Sequence, residues 1–355
     1  MDKRFLNAAY IVEVINGRLN GSAEQVESKK SSFDYFSYIK KIGNRATVSA
    51  PCQKFAIKKF AESKGYELSK RMKNGKKISI SAMPDKYIDE DVFGFMRADN
   101  DELTEDQFNQ LSEIEKKTFK HNKKNNIYTR NITKKRKSRF LMSHLTNISN
   151  RSVNLEWNVA TSQGDSLPYV VETSSGIFQG ISNIDIENIS KFIVSDVESQ
   201  YRDFTKGEAA DIAPIEVGEK LKRIEVILRG LQYLSIQGNQ NNYLTDTSPK
   251  LIILGEYSWG NNVFQGIIKS NGLDIDAFLE TFEENKEYQK SDIWIGVSKR
   301  IIDQNYTDLK ERLNTELSMY ENIHITTIKG AFDGYLEYLY ESFGLKYERS
   351  AQNDI

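Results

Sequence analysis

The pattern of apolar and polar positions predicts alternating strands and helices in the first part of the chain. Residues 10–15 are β-branched and aromatic and end at Asn16-Gly17, which predicts a first strand. Ser49 precedes an apolar stripe at helical spacing, and Pro51 falls in the first turn, so a helix is predicted to begin there. Residues 78–81 alternate and predict a short strand. The chain therefore opens as strand, helix, strand.

The second half of the chain continues with strands, one helix and a buried strand. Residues 153–159, 169–171 and 176–186 have the β-branched composition of strands in one sheet. Residues 218–234 carry leucine and isoleucine at every third or fourth position, which predicts a helix, and the apolar run 251–254 predicts a buried strand. This order, with a long insertion after the opening elements, predicts an α+β fold.

The insertion, residues 84–145, segregates its charges along the chain. It opens with an acidic and aromatic segment, in which the consecutive carboxylates of residues 89–91 are interpreted as solvated surface charge. Between Lys116 and Arg139 there are eleven Lys or Arg and no carboxylate. Residues 138–145 predict a strand that returns to the core. A block of one sign is typical of a surface that meets an anionic partner, or of a merely solvated loop.

The charge balance of the whole chain strengthens the first interpretation. The formal net charge of the 355 residues is −1, but residues 1–150 hold 30 Lys/Arg against 18 Asp/Glu, and the remaining residues hold 19 against 32. One basic surface for an anionic partner is therefore expected. Copies of the chain are also expected to contact each other head to tail, basic side to acidic side.

Composition disfavours several other classes of protein. Cys52 is the single cysteine and no signal sequence or 20-residue apolar run is present, so a cytoplasmic protein without membrane attachment is expected. The three histidines are far apart in sequence, which argues against a zinc site. No phosphate-binding glycine loop or nucleophile motif occurs, so no cofactor, metal or catalytic residue is expected.

The candidate RNA-binding residues are cations, amides and apolar side chains that stand near them. The basic run gives sequence-independent affinity for phosphates, the helix that begins at Ser49 offers its first amides, and Gly238 permits close backbone approach. The apolar candidates either insert against nucleobases or are core residues where a hairpin joins the rest of the protein. The full set is Arg18, Asn20, Lys40, Arg45, Ser49, Gln53, Lys54, Lys58, Phe93, Phe95, Met96, Lys134, Lys135, Arg136, Lys137, Arg139, Gln237, Gly238 and Asn239.

With these residues in place, the chain resembles the RNA-binding backbone subunits of type I CRISPR Cascade complexes. These form the seventh CRISPR-associated (Cas) family, and the DevR/Cst type of subtype I-B is the nearest group. The resemblance covers residues 5–260, with one loop glycine where relatives often have two. The matching segments are Leu19-Asn20-Gly21, Val48-Ser49-Ala50, Asp91-Val92-Phe93-Gly94-Phe95-Met96, Lys137-Ser138-Arg139-Phe140-Leu141-Met142-Ser143, Glu172-Thr173-Ser174, Ile184-Asp185-Ile186 and residues 228–249.

The resemblance implies a modified RNA-recognition-motif (ferredoxin-like) palm with an inserted thumb and additional finger elements. It implies several copies stacked along one CRISPR RNA, beside other Cascade subunits, that present the guide for pairing with target DNA in antiviral defence without enzymatic activity. The implied domains are 1–84, the first part of the palm with finger loop 18–45; 85–145, the thumb; 146–270, the rest of the palm with glycine loop 235–242; and 271–355, a C-terminal extension packed on the palm.

Two alternative functions stay open. Related backbone proteins of type III complexes cut target RNA with an aspartate in the loop after the first strand, and Asp34 occupies that loop here. The second alternative is a general single-stranded RNA-binding protein that acts as a monomer. The first predicts metal-dependent cleavage that requires Asp34, and the second predicts no bound RNA of CRISPR-repeat length.

Overall fold

The structure is a computed structural model that describes residues 3–20, 36–70, 72–74, 77–149, 153–162, 165–192 and 215–348. Within these ranges the strands are β1 (Phe5–Gly17), β2 (Phe36–Ser37), β3 (Lys41–Ile42), β4 (Arg45–Val48), β5 (Met72–Asn74), β6 (Lys77–Ser79), β7 (Phe95–Leu103), β8 (Lys120–Asn122), β9 (Ile127–Arg136), β10 (Phe140–Met142), β11 (Leu145–Asn147), β12 (Asn154–Ser162), β13 (Asp165–Asp185), β14 (Leu251–Tyr257), β15 (Ile268–Lys269), β16 (Gly272–Leu273), β17 (Gln289–Val297) and β18 (Ile323–Thr326). The helices are α1 (Ala50–Ser63), α2 (Ile88–Phe93), α3 (Glu105–Asn109), α4 (Glu113–Lys116), α5 (Val217–Gln232), α6 (Ile275–Glu284), α7 (Leu309–Glu316) and α8 (Ile328–Ser342), with short 3-10 helices at Lys286–Tyr288 and Gln304–Tyr306.

The chain forms two compact units. Unit 1 comprises Met1–Gly65, Phe140–Glu187 and Glu216–Ile355. Unit 2 comprises Tyr66–Arg139 and Asn188–Ile215. The larger part of unit 2 is thus inserted in the sequence of unit 1, between its first helix and its next strand.

Unit 1 is built on a βαββαβ core. In chain order this core is β1, α1, β11, β13, α5 and β14, and in the sheet the four strands lie in the order β14-β1-β13-β11. Each neighbouring pair in that series is antiparallel. This order and these directions define the ferredoxin-like arrangement of RNA-recognition motifs, so the predicted α+β fold with a modified palm is confirmed.

One face of the palm sheet is covered by helices. α1 packs against α5, and α8 packs on β14 and β17 beside α5. The fully buried Tyr10 lies across Gly180 on the neighbouring strand and donates a hydrogen bond from its hydroxyl to Gln53 Oε1 at 2.6 Å. Since a side chain at position 180 would collide with the Tyr10 ring, glycine is required there for this contact. The contact fixes α1 on the sheet.

The other face of the same strands is covered by the C-terminal part of the chain. Ala9 and Ile11 of β1 and Ile253 of β14 belong to one buried cluster with Phe278 of α6 and Leu313 of α7. β17 pairs antiparallel with β14, and β18 pairs parallel with β17. The C-terminal segment therefore contributes two strands to the palm sheet itself, and both faces of β1 and β14 are buried.

The described residues of unit 2 form two small sheets and three short helices. β5 and β6 form a hairpin, and β7, β9 and β8 form a three-stranded antiparallel sheet in that order. Phe108 of α3 stacks on Tyr128 of β9 with ring centroids 3.7 Å apart, and Arg130 lies 4.6 Å from the ring centroid of Phe119. α3 and α4 each begin with a capping box, at Thr104 and Ser112, so their starts are hydrogen-bonded locally.

Candidate nucleic-acid interface

The predicted glycine loop lies directly against the end of β1. The Asn239 amide donates a hydrogen bond to the carbonyl oxygen of Arg18 at 3.0 Å. A Cβ atom on Gly238 would lie 2.7 Å from the Cα of Leu19 and closer still to the Arg18 carbonyl oxygen. Backbone-to-backbone contact at this distance admits glycine alone. The structure thus brings together Arg18, Gly238 and Asn239, which are distant in sequence, and leaves Gln237, Gly238 and Asn239 exposed.

A second group of predicted residues adjoins the same end of β1. The Lys40 amide donates to the Asn20 carbonyl oxygen at 3.0 Å, and the Lys40 carbonyl accepts from the Thr47 amide at 2.9 Å. Asn20 and Lys40 are half-buried, and Arg45 at the start of β4 is exposed. Lys41 pairs with Glu172 of β13 at 2.6 Å. The part of the finger loop that is described is therefore tied to the palm at the strand ends, beside the glycine loop.

The start of α1 presents the third predicted group. Ser49 is its N-cap residue without a side-chain cap hydrogen bond, and the first turn contains no acidic residue. Lys54 and Lys58 are half-buried on this helix. Burial and, to a smaller extent, the neighbouring charge of Lys58 lower the pKa of Lys54 to about 8. The free amides at the start of α1 favour an anion there, and so do the two neighbouring lysines further along the helix.

Two residues of unit 1 that were predicted to bind RNA have buried side chains. Gln53 is completely buried, because its carbonyl accepts from Tyr10 and its amide donates to the Ser143 carbonyl at 3.0 Å. These two hydrogen bonds hold α1 on the sheet, and the Gln53 side chain is not among the accessible candidates. Arg18 is also buried, with a hydrogen bond from its guanidinium to the Ser37 hydroxyl. Only the backbone of Arg18 lies next to the glycine loop.

The basic run in unit 2 contains a buried ion pair. Arg136 and Asp91 pair with both side chains fully inaccessible to solvent. The Arg136 guanidinium also donates to the carbonyl oxygens of Asp91, Asn188 and Lys191 at 2.9–3.1 Å, and the Asp91 carboxylate accepts from the amide and hydroxyl of Ser190. Arg136 is therefore a structural residue of unit 2, and its guanidinium is not accessible from solvent.

The neighbouring carboxylates are buried as well, contrary to their interpretation as solvated charges. Asp89 accepts from the amide and hydroxyl of Ser69 at 2.8 and 2.9 Å, and Glu90 accepts from the amide of Ala82 at 2.9 Å. Burial raises the pKa of Glu90, although the hydrogen bonds oppose that effect. α2 thus uses its consecutive acidic residues to fix several segments of unit 2, because each buried carboxylate needs its own donors.

The glycine of the Phe-Gly-Phe segment lies where α2 and β9 come closest. Gly94 has a φ of +71°, and a Cβ atom there would lie 2.6 Å from the Ser138 amide nitrogen. Phe93 is buried, Phe95 is half-buried, and Met96 is 68% exposed. Among the three predicted wedges, Phe93 is consequently a core residue and Met96 is the one with an accessible side chain.

The remaining cations of the run lie on or after β9. Lys137 is exposed, Lys135 is half-buried and Arg139 is buried; of Lys134 the backbone is described, as part of β9. β9 pairs with β7 along its length, so that Lys135 is opposite Met96 and Asn131 is opposite Asn100. The acidic strand β7 and the basic strand β9 of the insertion are therefore hydrogen-bonded neighbours in one sheet.

A depression that was not predicted from the sequence lies beside the glycine loop. It has a volume of about 760 Å³ and is bounded by the end of α5, the loop and the following segment. Tyr233, Asn241, Leu244 and Arg300 line it and were not among the predicted residues. The one available signal was Tyr233, an aromatic residue that follows the apolar stripe of α5 directly.

The described part of the chain contains neither a metal-ligand cluster nor a membrane-spanning helix. There, no three His, Cys, Asp or Glu side chains are grouped so that they could hold a metal ion. No helix in those ranges is both long and apolar enough to span a membrane. Asp34, on which the ribonuclease alternative depends, lies outside the described residues.

Comparison with known proteins gives matches among solved structures. No family model matches the chain, and no curated protein sequence matches it. A chain of a structure titled "CRISPR RNA-guided surveillance complex" is similar with a TM-score of 0.50 and 10% sequence identity, over 94% of this chain and 99% of that chain. A chain titled "CRISPR RNA-guided surveillance complex, pre-nicking" has a TM-score of 0.48 and 10% identity, with the same coverage. At these identities the likeness is one of fold.

Proposed function

We propose that the protein is a non-enzymatic, CRISPR RNA-binding backbone subunit of a type I Cascade-like complex, of the I-B kind. The observation that carries this proposal is the shared fold, which extends over 99% of a chain from an RNA-guided surveillance complex. The motif resemblance found in the sequence supports it independently. Several copies would stack head to tail along the guide in the cytoplasm, with other subunits, and present the guide to target DNA.

The palm supports RNA binding at its loops rather than on its sheet. In a simple RNA-recognition motif the open sheet face stacks bases on aromatic residues. Here β1 and β14 are buried on both faces, by α1, α5 and α8 on one and by α6 and α7 on the other. The exposed candidates of unit 1 lie at the start of β4 and in the glycine loop, and half-buried candidates lie at other strand ends and on α1. Such contacts fix an RNA backbone and leave sequence reading to base pairing.

Unit 2 is proposed as the thumb. Its exposed candidates are Met96 and Lys137, together with the half-buried Phe95 and Lys135. Asp91 and Arg136 hold the base of this unit and do not contact RNA. The exposed Met96 side chain is of the apolar type that inserts between bases.

The first test of the proposal is the binding of single-stranded RNA by the purified protein. We expect the logarithm of the binding constant to fall linearly with the logarithm of salt concentration, by about 0.7 per phosphate contact. Fluorescence anisotropy with a labelled RNA measures this slope. Absence of binding at low salt would contradict the proposal, and Asp34-dependent cutting of an RNA complementary to the guide would favour the ribonuclease alternative.

The pH dependence of this binding tests the site at α1. Lys54 has a pKa of about 8, so it is a cation below that pH and neutral above it. Because a phosphate binds the charged form, RNA affinity should be full at pH 7 and fall by up to about tenfold at pH 9. Lys54→Arg stays charged and should remove this dependence. An identical loss of affinity in wild type and Lys54→Arg would show that Lys54 does not contact RNA.

A further inference from the structure

The walls of the depression beside the glycine loop are fixed by internal hydrogen bonds. The Gln240 side chain donates to the Ile236 carbonyl at 2.8 Å and accepts from the Thr245 amide at 2.9 Å. The Thr247 hydroxyl accepts from the Ile236 amide and donates to the Leu234 carbonyl, both at 2.9 Å. Side chains that hydrogen-bond to both edges of a loop hold its conformation before a ligand binds. This lowers the entropic cost of binding.

Two large apolar side chains on this depression are accessible. Tyr233, at the end of α5, is 52% exposed, and Leu244 is 85% exposed. The Tyr233 ring is nearly parallel to that of Phe60 on α1, with centroids 5.9 Å apart and an angle of 21° between the planes. Phe60 thus supports the ring, while half of the Tyr233 residue remains accessible. A supported, accessible aromatic ring is a platform on which another planar group can stack.

The charged side chains that line the depression, Arg300 and Asp246, are paired, and Lys250 pairs with the same carboxylate at 2.6 Å. Arg300 lies 3.1 Å from the Asp246 carboxylate. Partial burial would raise the pKa of Asp246, but hydrogen bonds from Lys250 and Ser248 lower it to about 2, so the carboxylate is ionised at neutral pH. The other polar side chains that face the depression and are exposed include Gln237 and Asn241, which are neutral amides. These neutral amides offer both hydrogen-bond donors and acceptors to an uncharged polar group beside the Tyr233 ring.

We propose that this depression binds one unpaired nucleobase of the guide RNA, stacked on Tyr233 and contacted on its edge by Gln237 and Asn241. The inference rests on the RNA-binding function proposed above. A base is the part of an RNA that combines a flat apolar face with a neutral hydrogen-bonding edge, and glutamine and asparagine match such edges. The volume of about 760 Å³ is large enough for one nucleotide. The glycine loop would thus hold a base as well as the RNA backbone.

The test combines protein variants with RNAs that lack one base. Full-length wild type, Tyr233→Ala and Tyr233→Phe are titrated with a single-stranded RNA and with a series in which each nucleotide in turn is abasic. Tyr233→Ala should weaken binding of the intact RNA by about five- to hundredfold, whereas Tyr233→Phe should bind as wild type. The salt slope should be the same for all three proteins, because no phosphate contact is lost.

The abasic series distinguishes a stacked base from a general effect on the protein. At one position, or at regularly spaced positions, removal of the base should weaken wild type and leave Tyr233→Ala unaffected, since the contact is already absent. Equal weakening of both proteins at every position would overturn the inference, as would wild-type affinity in Tyr233→Ala. In either case RNA binding by wild type would persist, so the proposed function would stand. A wild type that binds no RNA would refute both.

Discussion

Replacing Arg136 with alanine should lower the free energy of unfolding of unit 2 by about 3–5 kcal/mol. The substitution leaves the Asp91 carboxylate buried without its cationic partner, and it removes donors from the carbonyl oxygens of Asn188 and Lys191. An uncompensated buried charge is among the most costly defects that a single substitution can create. Urea unfolding monitored through hydrogen exchange of the amides of residues 88–96 and 136–139 measures this decrease in the free energy of unfolding of unit 2.

Lys137→Ala is the matched control for this prediction. Lys137 is the next residue in the chain, carries the same charge and is exposed, so its removal should change stability by at most about 0.5 kcal/mol. It should instead reduce the salt slope of RNA binding, if it contacts a phosphate. Equal stability of Arg136→Ala and Lys137→Ala would contradict the assignment of Arg136 as a structural residue.

Gly238→Ala should destabilise unit 1 by about 1–3 kcal/mol and displace the glycine loop. The added Cβ atom would lie 2.7 Å from the Cα of Leu19, a backbone atom that cannot rotate away. Relief requires the loop to move from β1, which would break the hydrogen bond from the Asn239 amide to Arg18. Faster hydrogen exchange of that amide, together with weaker RNA binding, is the expected result.

Gly218→Ala provides the comparison for this substitution. Gly218 lies in the first turn of α5, and a Cβ atom on it meets nothing within 4 Å. Because alanine is the better helix former, Gly218→Ala should be neutral or slightly stabilising. The close approach of the loop to β1 would be refuted if Gly238→Ala were as stable as Gly218→Ala and if its Asn239 amide exchanged hydrogen as slowly as in Gly218→Ala.

The palm could be predicted from the sequence because its signals are local. The β-branched and aromatic residues of β1, the start of α1 at Ser49 and the stripe of α5 each predict an element independently of the rest of the chain. Their order predicted an α+β fold, and the ferredoxin-like palm was implied by the family resemblance. The tail was less informative: its segments 289–297 and 323–326 have strand character, but only the structure shows that they join the palm sheet at β14.

The site was harder to predict because a charge in a sequence does not reveal its partner. Arg136 is one of five cations in residues 134–139, and its partner Asp91 lies 45 residues earlier in the chain. Gln53 is a polar residue on a helix with lysines around it, yet it faces Tyr10 on the sheet. Phe93 adjoins the accessible Met96 but is itself buried. In each case a long-range contact decides whether the side chain faces solvent.

The RNA that the protein carries in its own cells tests the central claim most directly. The native gene is tagged, the complex is isolated at moderate salt, and the bound RNA is sized and sequenced. The proposed function predicts one discrete RNA species of CRISPR-repeat length and sequence, bound by several copies of the protein. Recovery without RNA, or with a heterogeneous mixture of cellular transcripts, would contradict a guide-RNA backbone subunit and favour a general RNA-binding protein.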